Sequence, residues 1–297
     1  MLTGPRRILL TTLVAVSVAA PMSGTEVPAP VPAAAPGGFT EARYAAARHN
    51  LLAAERMAAG HGQRRRAEAL RAMADPARRF LFFDGRDGGR SAEVFGDLAG
   101  AGRVVVLVPG TDTSIDRYGR LHADAKALQG ELGDSAAVVA WLGYRTPQTL
   151  SAAVLTPDRA DEAVPGLRAL VRELGPSRVS LLCHSYGAVA CGRAAGGLDG
   201  VANIILYGAA GTGTTTPLRT TTPVWAARGT RDWIAAVPHA QFRLPFLTLG
   251  LGMDPMSPGA GTRLFAAGDG GHSDYLRPGS LPLRNIAAIV SGTAPDA

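Results

Sequence analysis

Cys183-His184-Ser185-Tyr186-Gly187 stands between an apolar run, Val179 to Leu182, and a small-residue stretch, Ala188 to Ala190. A short extended run that turns sharply at a serine and re-enters as a helix is the layout of a nucleophile elbow, which holds the hydroxyl exposed above a sheet. Cys183 takes the place of the first glycine in the G-x-S-x-G pattern, so the match is incomplete at that residue. A serine hydroxyl is a weak nucleophile at neutral pH. It needs a base within hydrogen-bond reach, an acid to orient that base, and donors for the oxyanion that forms on attack.

Six histidines could supply the base. His49 and His61 lie in an N-terminal helical segment, His122 on a helix, and His239 in an irregular stretch. His184 precedes the serine, so its side chain should point away from that of Ser185. His272, in Gly270-Gly271-His272-Ser273-Asp274-Tyr275, follows the last expected strand on a glycine-loosened loop. Ligands bind at that edge of open α/β sheets, which makes His272 the expected base. Asp232 follows the strand Val224 to Arg228 through Gly229-Thr230-Arg231 and can reach an imidazole on the next loop. Asp254, Asp269 and Asp274 are its rivals, and a plain helix-cap role is the alternative for Asp232 itself. The backbone N–H of Tyr186, at the start of the elbow helix, is the first expected oxyanion donor. Thr111, in Pro109-Gly110-Thr111-Asp112, is the expected second, on a loop that glycine lets approach closely.

Elements able to hold these residues can be read from the pattern. Phe80 to Phe83 and Ala92 to Phe95 flank a turn rich in Gly and Asp, giving an antiparallel hairpin. Val104 to Val108 is a continuous apolar run of the kind buried on both faces of a parallel sheet. Similar runs recur at 136–142, 179–182, 204–207, 224–228 and 263–267, separated in several places by helix-length patterns. Eight strands joined largely by helical crossovers predict an α/β fold, a mostly parallel sheet with an antiparallel N-terminal edge. Residues 39–79 read as a helical hairpin broken at Gly60-His61-Gly62, with Tyr44, Leu51, Leu52 and Met57 on one face and Leu70 and Met73 resuming beyond.

The stretches Leu107-Val108-Pro109-Gly110-Thr111, Cys183-His184-Ser185-Tyr186-Gly187, Gly229-Thr230-Arg231-Asp232 and Gly271-His272-Ser273-Asp274-Tyr275 resemble the α/β-hydrolase superfamily. More closely, the chain is similar to a family of exported hydrolases of high-GC bacteria catalogued as a domain of unknown function. The resemblance runs from about Phe80 to Val290. It implies an α/β-hydrolase fold and Ser185, Asp232 and His272 as a triad, and it implies no substrate. Cys183 departs from the superfamily motif, and the elbow has to accommodate its side chain.

Composition bounds the rest. The chain has 297 residues and a net charge of +6, with Lys126 as its only lysine. Arg6 and Arg7 precede 13 uncharged residues, Ile8 to Ala20, and Ser17-Val18-Ala19 fits a cleavage site. Residues 1–20 are therefore expected to be an export signal or anchor, about 20 Å long as a helix. Residues 21–38 read as a Pro/Ala-rich linker, 39–79 as a basic hairpin and 80–297 as the hydrolase domain. The hairpin holds nine arginines against four acids, while 80–297 is balanced at 19 of each sign. A solvated helix face explains such a segment, and an anionic envelope surface is the partner it would otherwise suit. No stacking aromatics accompany the charge, so no nucleic acid is expected. Cys183 and Cys191 fall on a strand and the following helix, where bridge geometry is demanding, so two buried thiols are expected.

No metal-ligand spacing and no dinucleotide fingerprint is present, so no cofactor and no metal are expected. The expected chemistry is cleavage of a carboxylic ester, a small-molecule or lipid ester, with residues 242–256 as a candidate acyl-pocket wall. Two alternatives stay open: a non-catalytic hydrolase-fold binding protein of the envelope, and an acyltransferase using the same triad. A secreted or envelope-associated location follows from the export signal.

Overall fold

The computed structural model describes residues 27–296; the expected export signal and the start of the linker lie outside them. Ten strands and six helices follow in chain order. They are α1 (Glu41–Gly60), α2 (Arg64–Met73), β1 (Arg79–Asp84), β2 (Arg90–Phe95), β3 (Arg103–Val108), α3 (Gly119–Leu132), β4 (Ala136–Leu142) and α4 (Asp158–Leu174), then β5 (Val179–His184), α5 (Tyr186–Ala194), β6 (Asn203–Tyr207), β7 (Val224–Ala227), β8 (Phe242–Leu244), β9 (Leu247–Leu249), β10 (Arg263–Leu264) and α6 (Leu281–Ser291).

Eight strands form one sheet in the order β1-β2-β4-β3-β5-β6-β7-β10. β2 pairs antiparallel with β1 and with β4, and every other pairing in this sheet is parallel. The apolar runs explain the central position of β3, β4 and β5. Every residue of β4 is buried, as is every residue of β3 after Arg103, which only strands covered on both faces require. Val104, Val106 and Val108 turn to one face with α4 and α5, while Val105 and Leu107 turn to the other with α3 and α6. The last strand is shorter than the expected run 263–267: only Arg263 and Leu264 pair with β7, and the chain then leaves the sheet toward the loop of His272.

The N-terminal hairpin packs on the α3 and α6 side. Its buried stripe on α1 is Ala47, Leu51, Ala54 and Ala58, whereas Tyr44, Leu52 and Met57, expected to face the core, are only half-buried. Alanines allow α1 to lie close, and the larger residues fall to its flanks. The hairpin's arginines do specific work. Arg43 is buried, reaches the carbonyl of Leu81 at 2.8 Å and forms an ion pair with Glu173. Arg66 grips Asp116 through two bonds of 2.6 and 2.7 Å. Arg78 does the same to Glu93 at 2.6 and 2.8 Å.

Cys183 and Cys191 form a disulfide, contrary to the expectation of two thiols. The chain reverses so sharply after β5 that α5 folds back over the strand, bringing the two Cα atoms to 6.5 Å, within bridging range. Cys183 is fully buried between sheet and helix.

Glu93 is 1% exposed on β2, and His122 Nδ1 stands 3.1 Å from its carboxylate. Removing one partner of a buried pair leaves the other charge without compensation. Glu93→Ala is therefore expected to lower unfolding stability by about 3–5 kcal/mol in urea titrations. Glu162→Ala, which breaks an exposed pair with Arg159, should stay within about 0.5 kcal/mol of wild type.

Candidate active site

Ser185 is one of three described non-glycine residues with positive φ, at φ 53° and ψ −120°. L-residues avoid this region, and here the surroundings impose it. Its N–H donates to the carbonyl of Tyr207 at 3.2 Å, and its carbonyl accepts from Ala188 at 3.0 Å and Ala210 at 3.3 Å. The result is a hydroxyl at the mouth of the turn on a residue only 4% exposed.

The hydroxyl lies 2.9 Å from Nε2 of His272. Nδ1 of the same ring lies 2.9 and 3.1 Å from the two carboxylate oxygens of Asp232. A carboxylate can only accept, so Nδ1 carries the proton and Nε2 is free to take one from the serine. Asp232 also caps the short turn Trp233–Ala236, accepting from the N–H of Ile234 at 2.9 Å. One side chain thus caps the turn and meets the His272 ring at once. Burial alone would push this carboxyl up, but hydrogen bonds from His272, Tyr275 and Ile234 hold it below the ordinary carboxylate range.

Two contacts were not legible as functional in the sequence. The Tyr275 hydroxyl donates to Asp232 at 2.5 Å and accepts from the N–H of Gly229 at 3.0 Å, tying the last loop to the one after β7. His184 Nε2 donates to the carbonyl of His272 at 2.9 Å, and the ring packs 4.8 Å from both Tyr207 and His272. Burial and the neighbouring imidazole push His184 down to about 3, so it is a neutral brace in this pH range. The signal for Tyr275 was its place three residues after His272; for His184, its adjacency to the serine concealed the partner.

Space for these groups depends on two glycines. A Cβ on Gly110 would stand 2.7 Å from Cβ of Ser185, so only glycine lets the loop after β3 come this close. Gly208, at φ +53°, would drive a Cβ to 3.0 Å from Asp232 and Tyr275. Thr111 lies beside the serine on the rim shared by two cavities. Tyr186 is the first residue of α5, where amides have no intrahelical acceptor, and its own hydroxyl donates to the carbonyl of Thr156 at 2.6 Å.

The rivals have other occupations. Asp254 is gripped by Arg228 at 3.0 and 2.6 Å with His239 3.8 Å away, Asp274 accepts from Gly271 N–H at 2.9 Å, and Asp269 is exposed beside Arg231. His122 faces Glu93, and His61 contacts the carbonyl of Met57. Among the described residues no group of three or more His, Cys, Asp or Glu is placed to hold a metal ion.

Two cavities flank the serine. One, of about 390 Å³, is apolar and is lined by Ser185, Tyr186, Val154, Ile234, Phe242 and Leu251, among others. The other, of about 410 Å³, is mixed: His272, His184, Arg120 and Asp124 share its wall with Leu107, Leu121 and Trp233. Asp124, partly buried with Arg120 at 3.6 Å, is pushed up to about 6 by desolvation.

An uncharacterized protein of Mycobacterium tuberculosis is 31% identical over 251 residues, covering 69% of this chain. The chain spans only 37% of that relative's length. An esterase/lipase from an uncultured bacterium superposes with a TM-score of 0.50 at 13% identity, over 72% of this chain and 83% of the other. Esterase PE8 gives 0.48 at 19% identity, over 68% and 98%. Residues 84–242, from the end of β1 to the start of β8, match the model of the alpha/beta hydrolase family, and the chain belongs to that family.

Proposed function

We propose that this protein is an exported serine hydrolase that cleaves carboxylic esters through an acyl-enzyme. The observation that carries the reading is the unbroken line of contacts from the Ser185 hydroxyl through His272 to Asp232, at 2.9 Å for each step. The apolar cavity that Ser185 helps to line suits an acyl chain, and the mixed one beside His272, which offers charged and polar side chains as well as apolar ones, suits the alcohol portion.

Each residue has one task. Ser185 Oγ attacks the ester carbonyl as His272 Nε2 takes its proton. Asp232 holds the imidazole in the required tautomer and stabilises its positive charge. The carbonyl oxygen becomes an oxyanion facing the N–H groups of Tyr186 and Thr111, each worth ~3 kcal/mol in the transition state. Collapse of the tetrahedral species breaks the C–O bond, and the alkoxide leaves with the proton from His272. Water, activated by the same imidazole, then attacks the acyl carbon and returns Ser185 with the free acid. The expected export signal and the Cys183–Cys191 bond together support a location outside the reducing cytoplasm.

Treatment with a fluorophosphonate probe tests the reading. Labelling is expected at Ser185 alone and should vanish in Ser185→Ala and His272→Ala; a folded wild type that takes no label would overturn it. Asp232→Asn is expected to lower kcat about 10³–10⁴-fold on a short-chain nitrophenyl ester, with the fold intact by circular dichroism. Asp124 gives a pH test. Its folded pKa of about 6 lies above the 3.8 of an unburied aspartate, so the fold holds a proton that the unfolded chain releases. That stabilisation is complete below pH ~4 and is lost as pH rises through about 6. Asp124→Asn should accordingly gain about 2 kcal/mol over wild type at pH 8 and nothing at pH 4, measured by urea unfolding at both.

A further inference from the structure

Of the large apolar side chains left exposed in the described residues, most gather at one place. Phe246 and Leu150 are fully exposed, and Leu155, Trp233, Phe242, Leu244 and Leu247 are between 41% and 67% exposed. They belong to three segments that meet around the mouth of the apolar cavity. Phe242 pairs with Leu249 across the β8–β9 hairpin, and Gly250 N–H donates to the carbonyl of Leu155 at 2.7 Å. Leu155, Trp233 and Phe242 line the cavity itself, while Leu244, Pro245 and Phe246 form the tip beyond it. A concentration of exposed apolar side chains of this kind marks an interaction surface.

We propose that the β8–β9 hairpin and its rim dock on an anionic phospholipid bilayer, with the tip inserted among the acyl chains. Charge favours this occupant. Residues 233–253 contain no Asp or Glu and one basic residue besides His239, Arg243, which sits on β8 among the apolar side chains. A cation inside an apolar tip suits acidic headgroups, and Trp233 at the rim has the amphipathic ring that settles at headgroup depth. Shape favours it as well. The hairpin projects apolar side chains outward rather than forming a groove, and a fluid bilayer accepts such a tip without a complementary pocket. The rim opens into the cavity that Ser185 lines, so a docked molecule takes an acyl chain from the lipid phase straight toward the hydroxyl. This last step rests on the serine hydrolase reading; the docking does not.

The full chain carrying Ser185→Ala, which leaves lipid esters intact, is titrated with vesicles of phosphatidylcholine and phosphatidylglycerol carrying brominated acyl chains. Bromine quenches only indole rings near the bilayer, so Trp233 reports hairpin insertion separately from contacts made elsewhere in the chain. Quenching is expected, and a Trp233→Phe version should lose most of it, since Trp141 is buried in the core and Trp225 is half-buried on β7, held by Asn203 and covered by Arg263. Adding Leu244→Ser and Phe246→Ser should weaken the quenching titration by about tenfold or more. In a chain with Ser185 restored, the same pair should leave hydrolysis of a short soluble ester unchanged. Absent quenching, or quenching indifferent to the tip substitutions, overturns the docking proposal. A wild-type dimer in sedimentation that the tip substitutions dissolve would overturn it too, assigning the surface to a second copy. Failure to hydrolyse any soluble ester, with quenching intact, would count against the serine hydrolase reading alone.

Discussion

The backbone of Ser185 is forced into a region that non-glycine residues avoid, and the rest of the site is arranged around keeping it there. Neither β5 nor α5 alone would impose φ 53°. The conformation persists because β6 accepts the serine N–H, Ala188 and Ala210 satisfy its carbonyl, and the helix is bonded back to the strand by Cys183–Cys191. Strain of this sort costs on the order of 1–3 kcal/mol and survives only where the surroundings over-determine it. In return the hydroxyl stands at the sheet's edge in one orientation, available to the ring of His272 without a search over rotamers.

Burial then separates the behaviour of chemically similar groups. Asp232 is buried and Asp124 partly so, yet they shift in opposite directions. Three donors, His272, Tyr275 and Ile234, hold Asp232 below the ordinary carboxylate range, whereas Asp124 has Arg120 alone, at 3.6 Å, and desolvation raises it to about 6. His184 and His272 divide likewise: one is spent on the backbone of the loop above it and stays neutral, the other presents a nitrogen to the serine. Desolvation is common to these groups, and the supply of donors decides what each can do.

The sheet was legible because its strands are continuous apolar runs, and such runs need cover on both faces. The approach of His272 and Asp232 was legible from chain order, since both follow strands at the edge where Ser185 emerges. Other features depend on distances that spacing does not encode. The disulfide needed the steepness of the turn after β5, and a strand-helix pair eight residues apart does not state it. Tyr275 and His184 act through contacts spanning 43 and 88 residues. The hairpin's arginines looked like a uniform solvated face, but Arg43, Arg66 and Arg78 each hold a particular carboxylate of the body.

The hydroxyl of Tyr275, shared between Asp232 and Gly229, joins the two loops that bracket residues 233–262. Thr230 N–H, bonded to the carbonyl of Gly268 at 3.0 Å, fastens the same junction a second time. The thirty residues between are therefore an excursion whose two ends are clamped together, and the carboxylate sits on the clamp rather than on the excursion. Changes at the tip of the segment, beyond Ile234, which bonds Asp232, and short of Asp254, which holds Arg228, leave the contacts between the carboxylate and the imidazole untouched. The architecture separates the segment that carries the apolar rim from the junction that holds the Asp232 carboxylate against the His272 ring, so a change in the first is not passed directly to the second.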